Sequence, residues 1–322
     1  MKTIVLTNRY AQGPFGIVSS LVPEDFELKM PEESSYEAVS RLIPEADYLL
    51  ASGRVKVDGA LLDRAPRLRM IQRTGVGLDT LDLEAIKSRN LPLYVNRGVN
   101  ARSVAEYALL LTLACLRKLT IAAENTKNGV WSKQAHGIQT CELSGKTVGI
   151  VGMGFIARTL VSLLRPFGVK ILYSDVVRAP EEFEKENGAA FVTLDELLRN
   201  ADVVTLHCAL TDETRGLIGK EAFDKMKPEA VLINTARGGI VDTDALADAL
   251  EKGRIAFAGI DVHEKEPIPE DYRLKNLPNV ILTPHIAGVT RDSFRAMMEG
   301  AFRNMSMFEA GKTAEIKEYR YL

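Results

Sequence analysis

Short runs of apolar and β-branched residues alternate with stretches of helical periodicity along nearly the whole chain. In the first part, strands are predicted over Thr3–Leu6, Glu27–Met30, Tyr48–Leu50, Arg69–Gln72 and Pro92–Val95. Amphipathic segments lie between them around Tyr36–Leu42, Ala60–Ala65 and Leu83–Ser88. Strands alternating with helices imply parallel sheets built of right-handed βαβ units. A longer helix is expected from about Arg102 to Lys118, with an almost continuous apolar centre, Ala108 to Leu116. A helix apolar all round must be buried on most sides, so this one reads as a spacer between sheets or a dimer element.

A polar stretch from Glu124 to Glu142 follows, and then a second, cleaner series begins. Its strands are expected over Thr147–Val151, Val169–Ser174, Ala190–Val192, Val203–His207, Ala230–Thr235, Phe257–Asp261 and Val280–Thr283. Helices such as Leu194–Asn200 and Thr243–Lys252 fall between them, and one more, about Ser293 to Ala310, closes the chain. Two α/β series in 322 residues suit two domains, each long enough for its own core.

Charge removes several function classes. Forty-one Lys and Arg stand against 43 Asp and Glu, for a net charge of −2. That balance argues against the broad basic footprint of a nucleic-acid binder. The longest lipid-like run is the nine residues Ala108–Leu116, far short of the roughly 20 needed to span a membrane. Cys115, Cys141 and Cys208 are scattered and odd in number, which fits a reducing cytoplasm better than a disulfide framework. His136, His207 and His263 match no metal spacing.

The first motif with chemical content is Lys146-Thr-Val-Gly-Ile-Val-Gly-Met-Gly-Phe-Ile-Ala157, a strand entering a glycine turn that opens a helix. Gly152 permits the turn, Gly154 lets backbone approach a pyrophosphate, and small Ala157 lets helix pack on strand. The helix N-terminus offers N–H groups and a positive dipole end to the diphosphate. Asp175 closes the next strand, 18 residues past Ala157, where a carboxylate accepts hydrogen bonds from ribose hydroxyls and repels a 2′-phosphate. The pattern favours NAD over NADP, although Arg178 three residues on keeps that preference from being absolute.

Three later segments carry polar groups where strands should end: Leu232 to Asp242, Gly259 to Pro267 and Leu282 to Gly288. Ligands of open α/β sheets bind beyond the carboxyl ends of strands, so Arg237, Glu266 and His285 are candidates for one site. Each also has a plain structural reading, as a strand-end cap, a solvated loop residue and a packing histidine.

Together with the glycine turn, Gly75-Val-Gly-Leu-Asp-Thr-Leu-Asp82 and Val104-Ala-Glu106, these segments resemble the D-isomer-specific 2-hydroxyacid dehydrogenase family, including its 3-phosphoglycerate dehydrogenases and glyoxylate or hydroxypyruvate reductases. The resemblance implies an α/β fold of two doubly wound parallel-sheet domains. A Rossmann NAD domain, residues 100–287, would be inserted into a flavodoxin-like substrate domain, residues 1–99 and 288–322. It also implies a homodimer acting on a small 2-oxoacid or D-2-hydroxyacid, with no nucleic-acid or membrane partner and no metal.

By the same resemblance, Arg237 holds the substrate carboxylate and polarises the C2 carbonyl. His285 exchanges the proton of the C2 oxygen, and Glu266 fixes the imidazole and favours its protonated form. The cofactor set is Gly152, Gly154, Phe155, Ile156, Asp175, His207, Thr214, Thr235, Ala236, Asp261 and Gly288, with Asp261 directed at the nicotinamide carboxamide. Val76 and Gly77 would offer backbone N–H groups to the substrate, with Arg54 and Asn100 nearby. The chain departs from the family at Cys208-Ala-Leu-Thr211, where a proline is common, and within Leu50–Lys56, which bears on substrate choice. Arg54, Lys56 and Arg73 could bind a phosphate, which makes 3-phosphoglycerate a plausible substrate, with glyoxylate or hydroxypyruvate reduction next and D-lactate formation third. The rival from another class is an NAD-sensing, corepressor-like binding protein on the same scaffold.

Overall fold

A computed structural model describes residues 1–322, and the chain divides into two compact units, Met1–Asn100 with Arg291–Leu322, and Ala101–Thr290. Each is built around one parallel sheet with helices between its strands.

The first unit contains β1 (Lys2–Leu6), α1 (Gln12–Leu21), β2 (Phe26–Lys29), α2 (Tyr36–Leu42), β3 (Tyr48–Ala51), α3 (Gly59–Leu62), β4 (Met70–Arg73), α4 (Leu83–Ser88) and β5 (Leu93–Tyr94). Its sheet runs β2-β1-β3-β4-β5, all parallel, a doubly wound order that reverses between β1 and β3. Ser35, Asp58 and Asp82 cap α2, α3 and α4 by accepting from N–H groups of the first turn. The unit is completed by the last helix (Arg291–Glu309). Met298, Ala301, Phe302 and Met305 of that helix pack with Ile4, Leu6, Tyr48, Met70 and Tyr94. Buried amides join the same elements: Asn96 Nδ2 donates to the Met297 carbonyl at 2.8 Å and Asn304 Nδ2 to Gln72 Oε1 at 3.1 Å.

The second unit contains α5 (Ala101–Leu116), α6 (Leu119–Lys127), α7 (Lys133–Gly137), β6 (Thr147–Val151), α8 (Phe155–Leu164), β7 (Lys170–Ser174), α9 (Glu181–Asn187), β8 (Ala189–Phe191), α10 (Leu194–Asn200), β9 (Val203–Leu206), α11 (Lys220–Lys225), β10 (Val231–Asn234), α12 (Thr243–Glu251), β11 (Phe257–Ile260) and β12 (Val280–Leu282). Its seven parallel strands run β12-β11-β10-β9-β6-β7-β8, reversing between β6 and β9. The last helix, already described in the first unit, is α13. Both sheets are therefore doubly wound α/β.

The pattern reading differs from the structure in three places. Gly13, Pro14 and Gly16 hide α1 from propensity arguments, yet Pro14 sits in the first turn, where its missing N–H has no helical partner to lose. The polar stretch before β6 holds α7 and the end of α6, whose Ile121 packs against the core beneath it. Finally, α5 stops at Leu116 because Lys118 turns left-handed at φ +47°. As expected it is buried on most sides, with one exposed stripe of Arg102, Glu106 and Leu110, the last 52% exposed.

Candidate active site

The glycine turn follows directly from β6. Gly152 has φ +90°, and a Cβ there would stand 2.6 Å from the Cys208 nitrogen, so no side chain fits. Beyond Gly154, where an added Cβ would meet nothing within 4 Å, α8 begins without a side-chain cap. Phe155 and Ile156 thus occupy an uncapped first helical turn, the arrangement that receives a phosphate. Asp175 stands against this turn. Its Oδ2 accepts from the Met153 N–H at 2.5 Å and its Oδ1 from the Val177 N–H at 3.2 Å.

Two buried polar atoms nearby in the sheet have no partner: His207 Nδ1, just past β9, and Thr235 Oγ1, just past β10. His207 Nε2 meets Thr205 Oγ1 at 2.9 Å, and burial pushes the imidazole down to about 4, so it is neutral at physiological pH. Buried polar atoms normally find partners. Two orphans at the carboxyl ends of adjacent central strands, beside an uncapped helix, fit a dinucleotide. Thr214 closes the loop after β9, donating to the Ala209 carbonyl at 2.7 Å. Burial also raises the Cys208 thiol to about 11, making it a packing residue.

The candidate proton-transfer group is built on the loops after β11 and β12. His285 Nδ1 lies 2.8 Å from Glu266 Oε2, with both side chains partly exposed. Burial pushes the Glu266 carboxyl up, but the His263 N–H on Oε1 at 3.0 Å and the His285 ring bring it below its ordinary value. His285 adopts φ +58°, a left-handed conformation that costs a non-glycine residue about 1–2 kcal/mol. Its N–H donates to the Asp261 carbonyl at 2.7 Å. The Asp261 carboxylate, fully buried, accepts from the Thr283 hydroxyl at 2.6 Å and the N–H groups of Ile286 and Ala287 at 3.0 and 2.8 Å. All of these bonds come from the loop around His285, so Asp261 anchors that loop here. This role was not anticipated from the sequence, which directed Asp261 at the nicotinamide. Gly288 lies in the turn that follows.

His263 was also missed. Its Nε2 donates to the Thr283 carbonyl at 3.0 Å, and its Nδ1 meets the Tyr272 hydroxyl at 3.1 Å. Arg237 follows β10, where Asn234 organises the turn by accepting from the Ala236 N–H and donating to the Arg237 carbonyl. Arg237 Nη1 donates to the Ala236 carbonyl at 2.7 Å. A Cβ on Gly238 would stand 2.0 Å from the His263 carbonyl carbon. The bare backbone therefore lets the Arg237 turn press against the segment leading to Glu266.

In the five-stranded unit, buried Arg73 donates from Nε to the Gly77 carbonyl at 2.6 Å and from Nη1 to the Ala51 carbonyl at 3.4 Å. It thus ties together the loops after β3 and β4. Val76 is 44% exposed and Arg54 is exposed. Asn100 is the last residue of this stretch, immediately before α5.

Residues 109–287 match the model of the D-isomer specific 2-hydroxyacid dehydrogenase, NAD binding domain. The chain is 36% identical over 298 residues to a glyoxylate reductase of Korarchaeum cryptofilum, covering 91% of this chain and 90% of that one. The chain belongs to the D-isomer specific 2-hydroxyacid dehydrogenase family. A D-3-phosphoglycerate dehydrogenase of Archaeoglobus fulgidus is 38% identical, covering 83% of this chain but 50% of its own. Among solved structures, the D-lactate dehydrogenase of Aquifex aeolicus complexed with NAD and lactic acid superposes with a TM-score of 0.88 at 30% identity, covering 99% and 98% of the two chains. As a dehydrogenase of this family the protein is an NAD-dependent oxidoreductase. No helix is long and apolar enough to cross a membrane.

Proposed function

We propose that this dehydrogenase interconverts a short 2-oxoacid and its D-2-hydroxyacid, with glyoxylate or hydroxypyruvate as the preferred oxidised substrate. The observation that carries the reading is the 2.8 Å contact between Glu266 and His285 in a loop anchored by Asp261, in the unit that also holds Arg237. The hydride for C2 would come from NADH when it is bound in the seven-stranded unit. Arg237 presents a planar cation for the substrate carboxylate and polarises the carbonyl. Protonated His285 donates from Nδ1 to Glu266 and holds its Nε2 proton for the oxygen; after transfer the neutral ring is ready to accept a proton in the oxidative direction. The N–H groups of Val76 and Gly77 and the side chain of Asn100 are assigned to substrate binding.

A phosphorylated substrate is the second reading, favoured by the exposed cations Arg54 and Lys56. Arg73 gives it less support than the sequence suggested, because two of its donors serve backbone carbonyls. We assign residues 1–100 and 291–322 to substrate binding and 101–290 to NAD binding. We also propose a cytoplasmic homodimer that covers the exposed apolar side chains Leu110, Leu119, Trp131 and Ile138.

The test is a turnover panel of glyoxylate, hydroxypyruvate, phosphohydroxypyruvate and pyruvate with NADH, read at 340 nm. Glyoxylate or hydroxypyruvate should lead in kcat/KM. A lead for phosphohydroxypyruvate would install the second reading. NADH binding with no turnover of any acid would favour the sensing protein.

A further inference from the structure

Arg178 is the only cation between β7 and α9, and it lies three residues past Asp175. A cation so placed is what accommodates a phosphate on the adenosine 2′-oxygen in NADP-binding folds. In the structure its guanidinium is held elsewhere. Nε donates to Glu184 Oε1 at 2.9 Å and Nη2 donates to Oε2 at 2.7 Å, a side-on bidentate pair with a carboxylate of α9.

Glu184 is itself fixed. Its side chain is 9% exposed, and Oε1 also accepts a short hydrogen bond from the hydroxyl of Tyr173, a fully buried residue of β7. The Tyr173 oxygen accepts from the Ala179 N–H at 2.9 Å, which ties the segment carrying Arg178 to the same cluster. The guanidinium also lies 5.8 Å from the centre of the Phe191 ring on β8. The hydrogen bonds from Arg178 and Tyr173 hold the Glu184 carboxyl down at about 2, so it is ionised at any working pH.

We propose that Glu184 is a cofactor-specificity residue: by holding Arg178 it withholds a nearby cation from a 2′-phosphate, and so acts with Asp175 to favour NAD over NADP. Without Glu184, Arg178 would be a cation with 62% of its side chain already in solvent and no carboxylate to satisfy it. The inference rests on the reading of Asp175 as the ribose-side carboxylate.

The experiment is calorimetric titration of the whole protein with adenosine 2′,5′-bisphosphate and, separately, with ADP. Glu184→Gln keeps the size and an acceptor for Tyr173 but removes the charge. It should tighten the bisphosphate about tenfold while ADP stays within about twofold of wild type. The gain should shrink as salt is raised. Arg178→Gln added to Glu184→Gln should return the ratio to wild type. Tyr173→Phe removes the other partner of Glu184 and leaves the ion pair, so its ratio should match wild type, which separates charge release from loosened packing. An unchanged ratio in Glu184→Gln, or a gain that survives loss of Arg178, overturns the proposal. If ADP binds none of the proteins, the nucleotide site itself has been misassigned and the proposal falls with it.

Discussion

Thr283, His285, Ile286 and Ala287 each send a donor to Asp261, and Glu266 is held from both sides by His263 and His285. In the five-stranded unit Arg73 reaches two carbonyls and Asn96 braces the loop after β4 at the Thr74 carbonyl, while Val76 and Arg54 stand exposed. The first region is over-determined enough to hold a histidine in a left-handed conformation. In the second, the exposed side chains of Val76 and Arg54 can change without disturbing the buried amides Gln72, Asn96 and Asn304. Proton transfer tolerates little misplacement, whereas discrimination among short acids requires only a few adjustable contacts. The contrast fits the division proposed above, in which one set of loops carries the reaction and the other substrate choice.

The largest effect should come from His285→Ala, which removes the proton donor. Turnover should fall by roughly 10²–10⁴-fold at every pH, with NADH affinity measured by fluorescence staying near wild type. A comparable loss of NADH affinity would mean that the strained loop serves the cofactor, and the contrast would fail at its centre.

Arg237→Lys keeps the charge and loses the fork. A drop of about a hundredfold in kcat/KM is expected, shared between turnover and KM. Collapse of NADH binding instead would place Arg237 with the cofactor.

Glu266→Gln should cost about tenfold in turnover at neutral pH, because the imidazole loses the carboxylate 2.8 Å from its Nδ1. Stability gives an independent reading. The Glu266 carboxyl lies below its ordinary 4.5 in the folded protein, so its ionised form contributes stability above that value and loses it as pH falls through the lower folded value. The wild type should unfold at higher temperature than the Gln variant near pH 7, and the gap should close in acid. A gap that persists at pH 3 would locate the effect in packing.

The smallest effect belongs to the exposed loop. Arg54→Gln should raise KM severalfold for phosphohydroxypyruvate and leave glyoxylate within twofold. A large loss with glyoxylate would show that the loosely held region takes part in the common reaction.

Most strands of both sheets were legible because buried parallel strands read as short apolar runs, and the glycine turn was legible because Gly152 and Gly154 answer a local backbone demand. Tertiary partnerships were not. Nothing local says that Asp261 collects the donors of a loop more than twenty residues later, or that His263 braces the same loop. Arg178 read as a cation open to a phosphate because its partner Glu184 is fixed by Tyr173, a contact that exists only once α9 lies against β7. The exposure of Leu110 was hidden for the opposite reason: an apolar sequence states that a surface wants cover, and not which chain covers it.

The place of α13 sets an order of events in synthesis. A ribosome releases β1 to β5 before the seven-stranded unit, but the helix that packs on Ile4, Leu6, Tyr48 and Met70 is made only after that unit. Asn96 waits for the Met297 carbonyl, 201 positions later. Meanwhile every residue of the seven-stranded unit has been delivered. The half of the chain that is born first should be the half that finishes folding last, with an uncovered apolar face in the interval.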